Sequence, residues 1–493
     1  TQVSDLSPLS GLTGLQQLSC DSTQVSDLSP LSGLTGLQQL SCDSTQVSDL
    51  SPLKKIIQKG VPVIWGKYAS GICVEDCPLI NPPREIVEQG NEAILSYFKS
   101  LEDAKEDQVE LVSINEIKIL LVGEGMAGKT SLLKKIKGLP FNKNESQTHG
   151  VIIEKLAFDH LPLFHQYEAL RGVTGRFWDF GGQEIMHASH QFFLSSRSIY
   201  ILLLDSRTDA KKEEWLKHIE KFGGDSPAIV VINKIDENKN YDVERLTLKH
   251  KFPFIGDRFH RISCQTDEGV DVFAKELAEL IPKTEIFKTA FNPNWVAIKD
   301  QLESETAANK YINANRYEAI CIAHGVTDKT AQKTLLNYLD SLGIALHFEK
   351  LDLQNFYVLD PHWVTIGVYK IINSQAIENG LFRENLLDYI LNIEAIKKQE
   401  YDPAKDKTIT YSPPEQAYLV KIMQQFELLY EYNPGHYLVP DLLPKEPLSV
   451  FTFDENEAAH IRFVLKYDFI PPSLMARFII RMKNDIHNLN HLW

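Results

Sequence analysis

Gly123-Glu124-Gly125-Met126-Ala127-Gly128-Lys129-Thr130 sits between an apolar run, residues 117–122 (IKILLV), and residues 130–136 (TSLLKKI), which have helical character. The pattern G-x-x-x-x-G-K-[ST] after a strand and before a helix is a phosphate-binding loop: backbone N–H groups at the helix N-terminus wrap an anion, and glycine lets the chain approach it closely. Gly123, Gly125, Ala127, Gly128, Lys129, Thr130 and Ser131 are the contact set this loop predicts. Lys129 is placed to reach the β and γ phosphates of a nucleoside triphosphate, and the Thr130 hydroxyl to ligate magnesium.

Further along, Trp178-Asp179-Phe180-Gly181-Gly182-Gln183-Glu184 carries D-x-x-G at the end of the apolar run 176–180 (RFWDF). Asp179 there can hold magnesium through water, the Gly182 N–H can sense a γ-phosphate, and Gln183 stands where a glutamine orients an attacking water. Thr148, in residues 145–153 (ESQTHGVII), precedes a strand and can close on the same magnesium. Each of these two signals is common by chance; their order and spacing after the phosphate loop give them weight.

Base identity is written in Asn233-Lys234-Ile235-Asp236, at the end of the run 228–234 (AIVVINK). A carboxylate at Asp236 can accept hydrogen bonds from both guanine N1 and N2, a pair of donors that adenine lacks. Lys234 is expected to lay its stem along the base, and Asn233 to tie this loop to the phosphate loop. Ser263-Cys264-Gln265 is placed to offer a backbone N–H to guanine O6, with an ordinary strand end as the plainer alternative. The five signals follow the order of a Ras-like GTPase, each at the carboxyl end of a strand. They predict GTP and GDP as ligands, Mg2+ as the metal, and hydrolysis of GTP to GDP.

The runs 117–122, 151–158, 176–180, 199–205, 228–234 and 259–264 alternate with helical stretches, so residues 114–283 read as an α/β domain with a largely parallel sheet. Upstream, residues 1–22 (TQVSDLSPLSGLTGLQQLSCDS) recur letter for letter at 23–44, and a third copy begins at Thr45 and breaks up after Leu53. The spacing Leu12, Leu15, Leu18, Cys20 is a leucine-rich repeat pattern with one short strand near residues 16–20 of each copy. Such repeats bury their leucines against their neighbours, and two copies are too few, so 1–58 is read as the C-terminal part of a longer solenoid. Gln16, Ser19, Gln38 and Ser41 lie on its exposed strand face, where a protein partner would dock; as solvated positions they read equally well.

Residues 59–113 are expected to cap the solenoid and connect it, with one amphipathic helix over 82–109 carrying Ile86, Ile94, Leu95 and Phe98. After Pro282 longer helices mix with short hairpins. A helix over 330–342 stopped by Gly343, strand-like residues 344–349 and 356–360, and a further helix form a winged-helix-like arrangement within an α+β region. Residues 290–493 hold 19 Lys plus Arg against 26 Asp plus Glu, which favours protein contact over DNA.

The whole chain of 493 residues has a formal net charge of −15, giving no electrostatic reason to bind nucleic acid or an anionic membrane. Its longest apolar stretches are strand-sized, so no membrane span is expected. Six cysteines are scattered. Cys20 and Cys42 occupy one repeat position and read as packing residues, while Cys73 and Cys77 form a close pair without the ligands of a zinc site. Reduced thiols in a cytoplasmic protein are preferred to a disulfide.

Leucine-rich repeats, then a Ras-like domain with WDFGGQE at 178–184, then LDPHWVTIGVYKII at 359–372 and YDFIPPSLMARFI at 467–479, resemble the Roco family, in its bacterial or archaeal type without a kinase. In that family a Roc GTPase domain is followed by a COR domain. The resemblance spans essentially the whole chain. It implies a molecular switch in which COR pairs two chains into a homodimer, the two Roc domains face one another, and the repeats modulate or read the nucleotide state. It makes 290–440 and 441–493 the N- and C-terminal parts of COR, with the family's COR continuing past Trp493.

Phosphoryl transfer also needs positive charge in the transition state, and an arginine there is worth roughly 10³ to 10⁵ in rate. Arg207, just after the run 199–205, is the candidate to act across a dimer on the partner's γ-phosphate; local pairing with Asp205 or Asp209 is the plainer reading. His187, Arg176 and Arg197 are weaker candidates. Two other functions fit less well: a scaffold that holds GDP and barely turns over, which Gln183 and Thr148 argue against, and an ATP-driven module, which Asn233 to Asp236 argue against.

Overall fold

The computed structural model describes residues 2–66, 70–145, 148, 151–181, 193–195, 198–207, 211–224, 226–284, 289–306, 308–347, 356–394, 409–443 and 474–483. In the repeats, strands β1 (Gln17–Ser19) and β2 (Gln39–Ser41) pair in parallel one repeat apart, with Leu18 opposite Leu40. Identical letters at each copy stack identical side chains, and Leu6, Leu28 and Leu50 are all buried. The turns are fastened the same way, Asp21 accepting the Asp43 N–H at 2.9 Å and Asp43 the Glu75 N–H at 2.8 Å. The solenoid outlasts its sequence repeat. Strands β3 (Val63–Ile64) and β4 (Ile72–Cys73) extend the parallel sheet in the order β1-β2-β4-β3. All six cysteines are buried.

The single connector helix expected over 82–109 is two. A short helix, Arg84–Val87, is separated from α1 (Asn91–Glu106) by Gly90 at φ 92°, a left-handed conformation that glycine adopts readily and that breaks the helical path.

The central domain contains β5 (Glu116–Val122), α2 (Lys129–Ile136), β6 (Val151–Ala157), β7 (Thr174–Phe180), β8 (Ser198–Asp205), α3 (Lys212–Gly223), β9 (Ala228–Asn233), β10 (Phe259–Arg261) and α4 (Val270–Leu280). The sheet runs β10-β9-β8-β5-β7-β6, parallel throughout except for β6 at the edge. Strands β5, β8 and β9 are buried along their whole length, which is why they read as continuous apolar runs rather than alternating ones. Strand order reverses at β5, between β8 and β7. A crevice therefore opens there at the carboxyl ends of the strands.

The C-terminal region contains α5 (Pro293–Glu305), α6 (Ala314–Ala323), α7 (Lys329–Ser341), α8 (Pro361–Ile372) and α9 (Pro413–Gln425), the last two sharing a core with a small sheet, β11 (Leu381–Arg383), β13 (His436–Leu438) and β12 (Tyr430–Asn433) in that spatial order. Gly343 follows α7 at φ 69°, as the helix stop expected of it. Of the expected hairpin after it, Leu346 bridges Val358 in antiparallel fashion, and residues 348–355 lie outside the described residues.

The central domain is inserted into a unit made of the solenoid cap and this C-terminal region. Its entry and exit are zipped together, Val112–Ser113 pairing antiparallel with Ala290–Phe291. Beside that zipper Tyr97 donates to the Ala290 carbonyl at 2.7 Å and Asn292 to the Ser100 carbonyl at 2.8 Å. Tyr97, Phe291, Trp295 and Tyr338 then bury their rings in one core shared by the cap and α5 to α7. On its other side the C-terminal region joins the core of the central domain, with Trp363 and Tyr411 in the same cluster as Trp178 and Phe180. Among the described residues no helix is long and apolar enough to cross a membrane.

Candidate functional site: a nucleotide cavity at the sheet's switch point

The phosphate loop joins β5 to α2 and owes its course to two close approaches. Gly123, at φ 139°, passes so near β8 that a Cβ would lie 2.2 Å from the Leu203 carbonyl oxygen; at Gly128, φ 99°, a Cβ would meet the Asn233 side-chain nitrogen at 2.2 Å. Neither position has room for another residue. Gly125, Gly128, Lys129, Thr130 and Ser131 line a cavity, and Ala127 sits buried behind it. Lys129 is buried, its Nζ donating to the Gly123 and Glu124 carbonyls at 2.8 and 2.9 Å, so its charge spans the mouth of the loop.

Three oxygen-bearing side chains converge beside it. Thr130 Oγ1 lies 2.8 Å from Thr148 Oγ1 and donates to Asp179 Oδ2 at 2.6 Å, while Thr148 Oγ1 is 3.4 Å from the same carboxylate oxygen. Residues separated by 18 and 31 positions in the chain are thereby gathered at the ends of α2, β6 and β7. Two hydroxyls and one carboxylate are hard oxygen donors, the set that suits magnesium. Gly182 and Gln183 lie outside the described residues, as do His187 and Arg197.

At the other end of the cavity stand Asn233, Lys234 and Asp236. Asn233 joins three loops, donating to the Ala127 carbonyl at 2.9 Å and accepting the Cys264 N–H at 3.2 Å. The Ser263-Cys264-Gln265 segment differs from expectation in detail. Its Cys264 N–H is held by Asn233, and the Gln265 N–H by the buried Ser263 hydroxyl at 3.2 Å. Cys264 and Gln265 line the cavity while Ser263 fastens the turn behind it. Burial pushes the Cys264 thiol up to about 12, so it is a neutral wall.

Arg207 does not line the cavity. Its guanidinium binds Asp205 at 2.6 Å and Glu237 at 3.2 Å, and Asp205 also takes Lys234 at 2.9 Å. Burial would raise the Asp205 carboxyl, but these two cations hold it at about 2. Local pairing, the plainer of the two readings, is what this structure contains. Arg176 likewise does not line the cavity and instead enters an ion cluster at the seam with the C-terminal region.

In that cluster Glu116 of β5 meets Arg176 of β7 at 2.6 Å, Lys155 of β6 at 2.8 Å and Lys299 of α5 at 2.6 Å, and Glu303 of α5 closes it through Lys155, Lys299 and Arg176. Burial alone would raise the Glu116 carboxyl; Arg176, Lys299 and Lys155 together hold it at about 2. Nearby Lys118, also on β5, is buried. It donates to the Phe193 carbonyl at 2.7 Å, and burial lowers its ammonium to about 7.

Phe141 and Tyr369 are cavity residues that motif reading missed. Phe141 lies in the interval between the phosphate-loop helix and Thr148, from which the motif reading took only the threonine. Tyr369 comes from α8, more than 200 positions from the phosphate loop, and no local pattern announces it.

Residues 118–236 match the family described as Ras of Complex, Roc, domain of DAPkinase; residues 293–443 match C-terminal of Roc, COR-A domain; and residues 13–55 match Leucine Rich repeats (2 copies). The chain is 26% identical over 452 residues to the probable serine/threonine-protein kinase pats1 of Dictyostelium discoideum, covering 82% of this chain and 13% of that protein. It is 26% identical over 398 residues to a Roc-COR-CHAT protease of Runella zeae, covering 76% of this chain and 40% of that protein. It thus spans well under half the length of these curated relatives. A solved structure, Methanosarcina barkeri Roco2 RocCORdC bound to GDP, is 43% identical with a TM-score of 0.57, covering 68% of this chain and 98% of that one. With that identity over nearly all of the solved chain, and with repeats, Roc and COR-A in one order, this chain belongs to the Roco family and its central domain is a Ras-like GTPase domain.

Proposed function

We propose that this chain is a magnesium-dependent switch that binds GTP and GDP and hydrolyses GTP. The observation that carries the reading is one cavity lined by Thr130 and Thr148, with the buried Asp179 carboxylate hydrogen-bonded to Thr130 behind them, and by Asn233, Lys234 and Asp236. Asp236 accepts the guanine N1 and N2 protons, and the Lys234 stem lies along the base. Backbone N–H groups from Gly123 to Ser131 wrap the β-phosphate, and Lys129 reaches the β and γ phosphates. Thr130, Thr148 and Asp179 would hold magnesium, which offsets phosphate charge when bound. Gly182 senses the γ-phosphate and Gln183 orients a water, whose oxygen attacks the γ-phosphorus as the bond to the β–γ bridging oxygen breaks; GDP and phosphate leave, with the water proton passing to phosphate.

The Roco resemblance supports the remaining assignments: a homodimer through COR, a protein partner on the repeats, and a cytoplasmic location. Arg207 can act across that dimer if Asp205 and Glu237 release it. Titration with fluorescent GDP, GTP and ATP analogues, with magnesium and with EDTA, and single-turnover GTP hydrolysis across a wide protein concentration test this. Guanine nucleotides should bind with magnesium and ATP should not. A rate that climbs with concentration supports a site completed by two chains; turnover no faster than that of Gln183→Leu would leave a nucleotide-holding scaffold instead.

A further inference from the structure

Helix α8 of COR brings His362, Thr365 and Tyr369 to one side at spacings i, i+3 and i+7. The first two grip a single Roc residue. Thr365 Oγ1 accepts the Val151 N–H at 3.3 Å, and His362 Nδ1 lies 3.1 Å from the Val151 carbonyl oxygen. A carbonyl oxygen has no proton to give, so Nδ1 donates.

Val151 opens β6, three residues after Thr148, and sits opposite Phe180 in the pairing with β7, next to Asp179. One helical turn beyond Thr365, about 6 Å along the axis, Tyr369 enters the wall of the nucleotide cavity, which Thr148, Phe180, Gly125 and Met126 also line. Its neighbours Gly367 and Val368 are buried in the core, whereas Tyr369 is half-exposed. Val151, which α8 holds, belongs to the edge strand β6, whereas Asn233 to Asp236 lie at the end of β9 on the other side of β5, so α8 approaches the cavity from the side of Thr148 and Phe180.

We propose that Tyr369 reads the γ-phosphate: COR supplies, within the same chain, a phenol whose O–H donates to a γ-phosphate oxygen of bound GTP, an acceptor that GDP lacks. This rests on the guanine-nucleotide reading of the cavity and deepens it by naming how COR distinguishes the two nucleotides. A hydrogen bond to an ionised phosphate is charge-assisted and short, so it depends on a donor held in place. The grip on Val151 provides that. Closure of Thr148 around a triphosphate draws on the strand that α8 holds, and by linkage any shift of α8 changes GTP affinity in return.

Tyr369→Phe in the full chain removes the hydroxyl and keeps the ring, so folding is preserved. Equilibrium titration with GDP and with GTPγS, both with magnesium, should show GTPγS binding weakened about 10-fold and GDP binding changed less than about 2-fold. Equal effects on both nucleotides, or no effect on either, would overturn the assignment. If the unsubstituted chain binds both nucleotides and Tyr369→Phe is indifferent, this inference alone fails. If the unsubstituted chain binds neither, the guanine reading fails and takes the inference with it.

Discussion

Gly343, the residue that stops α7 in COR, rests against the indole of Trp178 in Roc: a Cβ at position 343 would lie 2.4 Å from Trp178 Cζ2. Trp178 is fully buried, stacks on Phe180 and carries the Lys118 ammonium 4.4 Å over its ring. It directly precedes Asp179. COR thus touches, through bare backbone, the residue next to the carboxylate assigned to magnesium.

Gly343→Ala meets both a left-handed φ and that indole. The conformation costs about 1 kcal/mol and the overpacking about 1–3 kcal/mol, so a loss of about 2–4 kcal/mol is expected. Denaturant unfolding of the variant in GDP checks this, and unchanged stability would show that the contact yields freely.

Glu116→Gln breaks the buried cluster at the Roc–COR seam. Removing one member of such a set costs about 3–5 kcal/mol, because Arg176 and Lys299 keep their burial and lose a counter-charge. The sign of the pH dependence follows from the depressed carboxyl. Its contribution is fully present above the unfolded value of about 4.3 and is lost as pH falls toward about 2. Unfolding titrations at pH 7 and pH 3 should show the gap between parent and variant shrinking at the lower pH; a gap that stays constant would separate the loss from Glu116 ionisation.

Asp236→Asn replaces an acceptor of two guanine protons with a group that accepts at one end and donates at the other. GDP affinity should fall on the order of 100-fold, the worth of two hydrogen bonds to a charged group. Xanthosine diphosphate, with a carbonyl where guanine has its amino group, should gain. Competitive titration measures both, and GDP binding that does not move would take base recognition away from this loop.

Arg207→Ala tests the two readings of that residue. Its pairs with Asp205 and Glu237 are local, so single-turnover hydrolysis should stay within about 2-fold of the parent. A fall on the order of 10³ would place the guanidinium on a partner's γ-phosphate.

What the amino-acid order determined by itself is the chemistry of the nucleotide cavity and the class of the fold. The roles proposed for the phosphate loop, Asp179 and Asn233 to Asp236 rest on short segments, where the chemistry requires particular residues at particular spacings. Strands β5, β8 and β9 are buried on both faces and so appear as unbroken apolar runs, while exact repetition at 22 letters makes a solenoid legible without any structure. Tertiary structure alone decided where the pieces meet. Gly90 splits the connector helix, Arg176 pairs with Glu116, and positions 112–113 and 290–291 zip Roc into its host. The contacts of Val151 with Thr365 and of Trp178 with Gly343 join residues more than 150 positions apart. Such contacts leave no periodicity in the chain, because packing between distant segments depends on shape and burial after folding, and local spacing records neither.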